Sequence, residues 1–159
     1  MKATIAVEAT DGAARAGTVT TARGTFRTPC FMPVATRGAV RHLSAADLER
    51  LGFEVVLANT YHLALRPGHG VVEAQGGLHG FMDWSGHVLT DSGGYQVFSL
   101  APKVDDDGAT FKSTYDGTLV RFTPEHAVAV QEALGADIQM VLDVCPPLPS
   151  PPEVVRAAV

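Results

Sequence analysis

The stretch Leu89–Gln96 brings together several side chains that could take part in chemistry. It follows His87–Leu89, an apolar run typical of a buried strand, so Asp91 is expected where a strand ends and a loop begins. Ligands of parallel α/β folds bind at this end of the strands. The loop continues with a hydroxyl, two glycines and an aromatic ring: Ser92, Gly93, Gly94 and Tyr95. A carboxylate, backbone amides exposed by glycine and a flat ring suit a planar heterocycle that forms hydrogen bonds. The alternative is a tight strand-to-helix turn in which Asp91 is only a cap.

A second carboxylate, Asp143, ends the apolar run Ile138–Leu142. This run is predicted to form another buried strand. We therefore expect Asp91 and Asp143 to stand at the carboxyl ends of two strands of one sheet. Capping of the next helix is the alternative role for Asp143, and a core position is the alternative for Tyr95.

The elements that must position these residues alternate between strands and helices. Buried strands are predicted at Cys30–Thr36, Glu54–Thr60, Val88–Thr90 and Ile138–Asp143. Helices are predicted at Ser44–Gly52, Val71–Gly77 and Thr123–Gly135, with a last one that starts at Glu153. Asp-Gly turns predict two hairpins, one near the N-terminus around Asp11 and one inserted around Asp116.

This alternation predicts an α/β fold with a parallel sheet, either open and doubly wound or part of a barrel. A complete TIM barrel takes about 250 residues, and the chain has 159. The expected architecture is thus a partial TIM barrel of about the first four strand–helix units, with an N-terminal β-hairpin region and an inserted β-hairpin. Because an open half-barrel leaves an edge strand uncovered, we expect a truncated chain that aggregates, dimerises or needs its missing half.

Composition sets further limits on function. The chain is 46% hydrophobic and 18% charged, as in ordinary globular proteins, and no run approaches the length of a membrane span. A start without a long apolar segment predicts a cytoplasmic protein. The two cysteines, Cys30 and Cys145, are expected to be reduced thiols. A net charge of −5 argues against a stand-alone nucleic-acid binder, although several arginines lie close together near the start: Arg23, Arg27, Arg37 and Arg41.

Several motifs agree in order and spacing with one family. They are Thr28–Thr36, Ala58–Leu63, Arg66–Gly68, Leu89–Gln96 and Leu142–Cys145. With them the chain resembles the N-terminal half of bacterial tRNA-guanine transglycosylase, also called queuine tRNA-ribosyltransferase. The segment Asp143–Pro147 is more similar to the bacterial branch than to the archaeal one.

The resemblance implies a pentosyltransferase that exchanges guanine at the tRNA wobble position for the queuosine precursor 7-aminomethyl-7-deazaguanine. The exchange is a double displacement through a covalent ribosyl-enzyme intermediate. Its partners would be tRNA with a GUN anticodon and a guanine-type base, with no membrane, and the full-length enzyme would be a cytoplasmic homodimer.

The resemblance also implies roles for individual residues. Asp91 would accept and donate the proton, Tyr95 would stack on the base, and Asp143 would accept hydrogen bonds from the guanine edge. The loop of Ser92, Gly93 and Gly94 would line the base and ribose. Asn59 would support Asp91 or the ribose, with a turn role as the alternative, and Cys145 would be a thiol of the pocket wall.

Two parts of the family's machinery are expected to lie beyond Val159. These are the nucleophilic aspartate and the zinc site of three cysteines and a histidine, so no zinc ligand is expected here and the chain alone should be inactive. The six histidines lack metal-ligand spacing. Arg23, Arg27 and Arg41 remain minor candidates for phosphate contact.

Two other interpretations stay open. One is a non-catalytic partner subunit of such an enzyme, and the other is part of a glycoside-hydrolase-like barrel that uses Asp91 and Asp143 as its carboxylate pair.

Overall fold

The computed structural model describes residues 3–100 and 103–158, which form ten strands and seven α-helices. The strands are β1 (Thr4–Asp11), β2 (Ala14–Thr21), β3 (Gly24–Thr28), β4 (Val34–Ala35), β5 (Val55–Ala58), β6 (His87–Thr90), β7 (Lys103–Asp105), β8 (Gly108–Lys112), β9 (Leu119–Phe122) and β10 (Ile138–Gln139). The helices are α1 (Ala45–Arg50), α2 (Thr60–Leu63), α3 (His69–Ala74), α4 (Gly77–Met82), α5 (Gly94–Ser99), α6 (Pro124–Leu134) and α7 (Pro152–Ala157). An irregular π-type turn, Ala64–Gly68, joins α2 to α3.

A four-stranded parallel sheet in the order β10-β6-β5-β4 lies at the centre. Its apolar residues alternate between the two faces, as the period of a strand requires. Val56, Ala58 and Val88 point into the main core. The helical side of that core comes from α1, α3, α4 and α6, which contribute Leu48, Val72, Leu78, Val130 and Leu134. A mixed α/β fold with a parallel sheet is therefore confirmed.

The opposite face of the parallel sheet is closed at one end by the N-terminal strands. Strands β1, β2 and β3 form an antiparallel sheet, and the predicted hairpin turns after Asp11. Val19 and Phe26 of this sheet pack against Val55 at the start of β5. The face is thus covered where the parallel strands begin and is left open towards their carboxyl ends.

A second antiparallel sheet, β7-β8-β9, contains the predicted inserted hairpin. The additional strand β7 was not predicted, and Arg121 of β9 holds it through a 2.6 Å ion pair with Asp105. Phe111 and Phe122 of the hairpin pack against Tyr61 of α2 and Ala127 of α6. This small core supports the loop that starts at Asp91 from the side of the helices.

The predictions for the two outer strands of the parallel sheet are wrong in extent. Only Val34–Ala35 and Ile138–Gln139 pair, whereas Cys30–Thr36 and Ile138–Asp143 were expected. Phe31 is 73% exposed and Val141 is 76% exposed, so these runs are not buried on both faces. Both strands are edges of the described sheet, and Pro33 has no amide hydrogen to donate to a ladder.

The helix predictions are confirmed where capping signals mark the ends. Ser44 and Asp47 form a reciprocal capping box on α1, and Thr123 caps α6 by accepting the His126 amide. The predicted helix at Val71–Gly77 corresponds to α3, and α7 begins within one residue of the prediction. Helices α2 and α4 were not predicted, and α5 was expected only in the alternative of a strand-to-helix turn at Asp91. In the described part of the chain, no helix has the length and apolar character needed to cross a membrane.

Candidate functional site

The site starts where two central strands end side by side. Ala58 of β5 pairs with Thr90 of β6, so the residues that follow them, Asn59 and Asp91, leave the sheet together. The predicted strand Glu54–Thr60 stops at Ala58 because Asn59 caps α2, its Oδ1 accepting the His62 amide at 2.9 Å. The structural turn role considered as the alternative for Asn59 is therefore present, through its contact with the His62 amide.

The same Asn59 side chain also holds Asp91. Its Nδ2 donates a 2.5 Å hydrogen bond to Asp91 Oδ2. Asp91 Oδ1 accepts two backbone amides, from Thr60 at 2.8 Å and from Gly93 at 3.2 Å. Three donors thus fix both oxygens of one carboxylate, and Asp91 is more than the simple helix cap considered as its alternative.

The environment of Asp91 alters its acidity. Burial raises the pKa of this carboxyl, and the negative charge of Asp143 raises it further. The hydrogen bonds from Thr60, Gly93 and Asn59 oppose this shift without cancelling it, so the pKa of Asp91 lies above that of an ordinary aspartate. Such a group exchanges a proton closer to neutral pH than a solvated aspartate does.

Asp143 has the opposite character. It is exposed, and its Oδ1 accepts a 2.6 Å hydrogen bond from Ser92 Oγ while Oδ2 accepts a 3.3 Å bond from Cys145 Sγ. The Ser92 hydrogen bond is the largest of the causes that lower the pKa of Asp143 below its usual range. The carboxylate is thus an ionised acceptor. It does not stand at a strand end as predicted, because β10 stops at Gln139.

The two glycines are used for close packing. Gly93 has φ +78°, which glycine adopts without strain, and a side chain at Gly94 would collide with the Asp143 carboxylate. The Gly93 amide donates to Asp91, and the Gly94 amide donates to Ser92 Oγ at 3.0 Å. The prediction that these amides are free for a ligand is therefore wrong, since both bind within the protein and position the two carboxylates.

A cavity of about 470 Å³ opens beside these groups. Six of the eight predicted site residues line it: Asp91, Ser92, Gly93, Gly94, Tyr95 and Asp143. Tyr95 is 68% exposed, so its ring belongs to the cavity surface and the core position considered as the alternative is wrong. Asn59 and Cys145 do not line the cavity, and they contact the lining residues Asp91 and Asp143 respectively.

Several lining residues were missed by sequence reasoning. Leu57 and Leu89 form apolar walls, and Met140 and Val141 lie near Asp143. A usable signal existed for the leucines, because each is followed two positions later by a predicted polar site residue, Asn59 or Asp91, and alternate strand residues share a face.

A buried glutamine of α6 ties the two halves of the site together. Gln131 is fully buried, and its Oε1 accepts from Thr90 Oγ1 at 2.8 Å and from the Met140 amide at 3.0 Å. Its Nε2 donates to the Met140 carbonyl at 2.9 Å. One side chain thus sets the spacing between the segments that carry Asp91 and Asp143.

Metal-ligating groups are not brought together in the described residues, since no group of three or more His, Cys, Asp and Glu side chains is placed to hold an ion there. Cys30 is exposed and Cys145 is half-buried, and both are free thiols. Burial raises the pKa of both thiols, with help from the negative charges of Glu54 and Asp143 respectively.

Comparison with known proteins places this arrangement in a family. The family model described as queuine tRNA-ribosyltransferase matches residues 10–159. The chain belongs to the queuine tRNA-ribosyltransferase family. It is 57% identical over 155 residues to the queuine tRNA-ribosyltransferase of Gloeobacter violaceus, and this match covers 96% of the chain and 41% of the relative.

Other members of the queuine tRNA-ribosyltransferase family give the same result. The relative from Thermus thermophilus is 54% identical, with 96% of this chain and 40% of the relative covered. The relative from Pseudomonas putida is 49% identical, with 94% of this chain and 41% of the relative covered. The chain therefore spans about two fifths of the length of these curated relatives.

Proposed function

We propose that this chain is the base-recognition part of a tRNA-guanine transglycosylase that exchanges guanine at the tRNA wobble position for 7-aminomethyl-7-deazaguanine. The observation that carries the proposal is a single cavity lined by Asp91, Asp143 and the exposed Tyr95 ring. Family membership supports the type of reaction, because the relatives that match 96% of the chain are named queuine tRNA-ribosyltransferases.

In the proposed reaction Asp91 moves the proton. Displacement of a purine from ribose C1′ develops positive charge on the sugar, and the departing base must gain a proton. The incoming deazaguanine must lose one when it attacks the same carbon. Asp91 suits both steps because its pKa is raised by burial, while Asn59 and the Thr60 and Gly93 amides keep both oxygens oriented.

Asp143 and Tyr95 would select the base. An ionised carboxylate accepts from the N1 hydrogen and the exocyclic amine of guanine, a donor pair that the deaza analogue shares and adenine lacks. Ser92 keeps Asp143 ionised and oriented. The Tyr95 ring offers a stacking face, and Leu57 and Leu89 provide apolar walls for a flat ligand.

The covalent step would need a nucleophile from outside this chain. We infer that the parallel sheet β4-β5-β6-β10 is the first four-stranded part of a TIM barrel, in which further strands supply the nucleophilic aspartate. This inference is supported by the exposed edge residues Phe31, Val34 and Val141 and by coverage of about two fifths of the relatives. Residues 1–159 would then be the N-terminal half of one barrel domain.

The zinc expected for the full-length family member does not fit residues of this chain. The described part offers no cluster of suitable ligands, and its two cysteines lie apart, so no step of the reaction is assigned to zinc here. The proposal places zinc ligands, dimer contacts and much of the tRNA surface in the remaining part of a cytoplasmic homodimer.

The alternatives make different demands on the same residues. A glycoside hydrolase would direct both carboxylates at one bond, whereas Asp143 is oriented by Ser92 and Cys145 as an ionised acceptor beside a stacking ring. A non-catalytic partner subunit would have no need for a half-buried Asp91 held by three donors. We therefore favour the transglycosylase.

Incorporation of radiolabelled guanine into tRNA tests the proposal. The natural full-length protein should incorporate label into tRNA that has guanine at the wobble position, and the 159-residue chain alone should not. Binding of guanine without incorporation by the full-length protein would favour the partner subunit. Incorporation by the isolated chain would overturn the claim that the nucleophile lies elsewhere.

A further inference from the structure

Two arginines share one aromatic ring outside the cavity. The guanidinium carbon of Arg37 lies 5.2 Å from the centre of the Tyr115 ring, and that of Arg66 lies 5.9 Å from the same centre. Tyr115 is anchored in turn, because its hydroxyl lies 2.9 Å from His62 Nδ1. The cluster of Arg37, Arg66, Tyr115 and His62 therefore places two cations against one anchored aromatic ring.

This positive charge is not neutralised within the described residues. Neither Arg37 nor Arg66 forms an ion pair with a carboxylate there, whereas Arg23, Arg50 and Arg121 each have an aspartate partner. Burial lowers the pKa of His62, and the charge of Arg37 lowers it further, so the neutral imidazole is favoured. Guanidinium groups without a carboxylate partner are free to bind an anion.

The cluster lies on the same edge of the sheet as the cavity. Arg37 follows the carboxyl end of β4, Arg66 lies in the turn after α2, and Tyr115 lies in the β8–β9 turn. His62 is in α2, whose cap residue Asn59 also donates to Asp91. A single helical turn therefore connects the cation cluster to the carboxylate that faces the cavity.

We propose that Arg37 and Arg66, held on the Tyr115 ring, bind a backbone phosphate of the RNA strand whose base enters the cavity. The inference rests on the proposed function, because it takes the ligand to be a nucleotide within a chain. Guanidinium groups suit this role since each can present two parallel donors to phosphate oxygens. Arg23 was a candidate from the sequence, but its charge is paired with Asp137. Asp137 directly precedes β10, so this pair lies at the amino end of the strand, whereas the cavity lies at the carboxyl ends.

The test is the salt dependence of RNA binding by the natural full-length protein. The probe is an anticodon stem-loop RNA with guanine at the wobble position, and the variants are Arg37→Ala and Arg66→Ala. Each lost phosphate contact should lower the slope of log K against log salt concentration by about 0.7–0.9 and weaken binding roughly fivefold to tenfold at low salt. The matched control is Arg15→Ala, which removes an exposed arginine from strand β2 of the N-terminal hairpin.

Substitutions of Tyr115 and competition by inorganic phosphate distinguish a specific phosphate site from a general loss of positive charge. Tyr115→Phe should keep RNA affinity because it keeps the ring, and Tyr115→Ala should lower affinity because the arginines lose their support. Inorganic phosphate at millimolar concentration should compete weakly, and full displacement of the RNA by it would indicate a site for the free ion. Slopes of Arg37→Ala and Arg66→Ala equal to that of Arg15→Ala would overturn the proposal.

Guanine binding distinguishes failure of this inference from failure of the proposed function. Affinity for free guanine should be unchanged in both arginine variants, and a loss would mean that the cluster serves the base cavity and not a phosphate. If the unsubstituted protein binds no guanine and exchanges none, the proposed function fails, while the salt slopes still report on the phosphate site.

Discussion

Ser92 and Asp143 are joined by a 2.6 Å hydrogen bond from the serine hydroxyl to Oδ1 of the carboxylate. The same hydroxyl accepts the Gly94 amide, so the loop after β6 fixes a residue that lies beyond β10. Sequence neighbours of Asp91 thereby orient the second carboxylate.

Asp143→Asn should weaken guanine binding. The substitution removes a charged acceptor, which is worth about 1.5–3 kcal/mol, so affinity should fall roughly tenfold to hundredfold. Isothermal titration of the full-length protein with guanine measures it, and Asp106→Asn, at an exposed turn position, is the control. Unchanged affinity with a collapse of turnover would show that Asp143 does not read the base.

Ser92→Ala should make guanine binding more sensitive to acid. The Ser92 hydrogen bond is the main reason that the pKa of Asp143 is lowered, so its loss should move that pKa up towards the ordinary value. As pH falls, the variant should therefore lose affinity at a higher pH than the unsubstituted protein. Identical pH profiles of guanine affinity in the two proteins would contradict the assignment.

Asp91→Asn should slow base exchange by roughly 10²–10⁴ while RNA affinity stays nearly unchanged, because proton transfer contributes about this factor. In the unsubstituted protein, the acidic limb of the rate profile should lie above the usual aspartate pKa, since burial raises it. Asn59→Ala removes one hydrogen bond that lowers this pKa and should shift the limb further up. Normal exchange rates in Asp91→Asn would remove the proton-transfer role.

Asp137→Asn should destabilise the fold at neutral pH. Burial would raise the pKa of Asp137, but the contacts with His79, the Val88 amide and Arg23 lower it overall. A lowered pKa means that this stability is present above the unfolded-state pKa of about 3.9 and is lost as pH falls through the folded value. Urea unfolding at pH 7 should show a loss of about 1–3 kcal/mol that shrinks below pH 4.

The control for that experiment is Glu132→Gln, which removes an exposed carboxylate from α6. It should change the free energy of unfolding by less than about 0.5 kcal/mol. A constant difference between Asp137→Asn and the unsubstituted protein from pH 7 down to pH 3 would exclude the charged form as the stabilising one.

The sequence predicts those features that depend on local chemistry. Ser44 and Thr123 mark helix starts because a side-chain oxygen satisfies free amides, and Asp91 is found at a strand end because the apolar run before it is short and clear. Five of the six site residues that line the cavity could be recognised because the Asp-Ser-Gly-Gly-Tyr loop is continuous in sequence.

Features that depend on distant neighbours were missed. Cys30–Thr36 was expected to be buried on both faces, but the described structure places only β5 beside β4, so Phe31 remains exposed. The expectation that the Gly93 and Gly94 amides are free for a ligand was a second error. The sequence does not reveal that Asp91 and Ser92 accept hydrogen bonds from these amides. Gln131 reads as an ordinary helix residue until its contacts with Thr90 and Met140 are known.

Gln131 has a consequence for how base preference can change. The side chain does not line the cavity, yet it anchors both the end of β6 and the start of the segment that leads to Asp143. A change in the length or position of this one side chain would therefore alter the gap between the two acidic groups. The size of the ring system that fits between Asp91 and Asp143 thus depends on where α6 holds Gln131. Substitutions in α6 that do not contact the ligand can therefore change base selectivity.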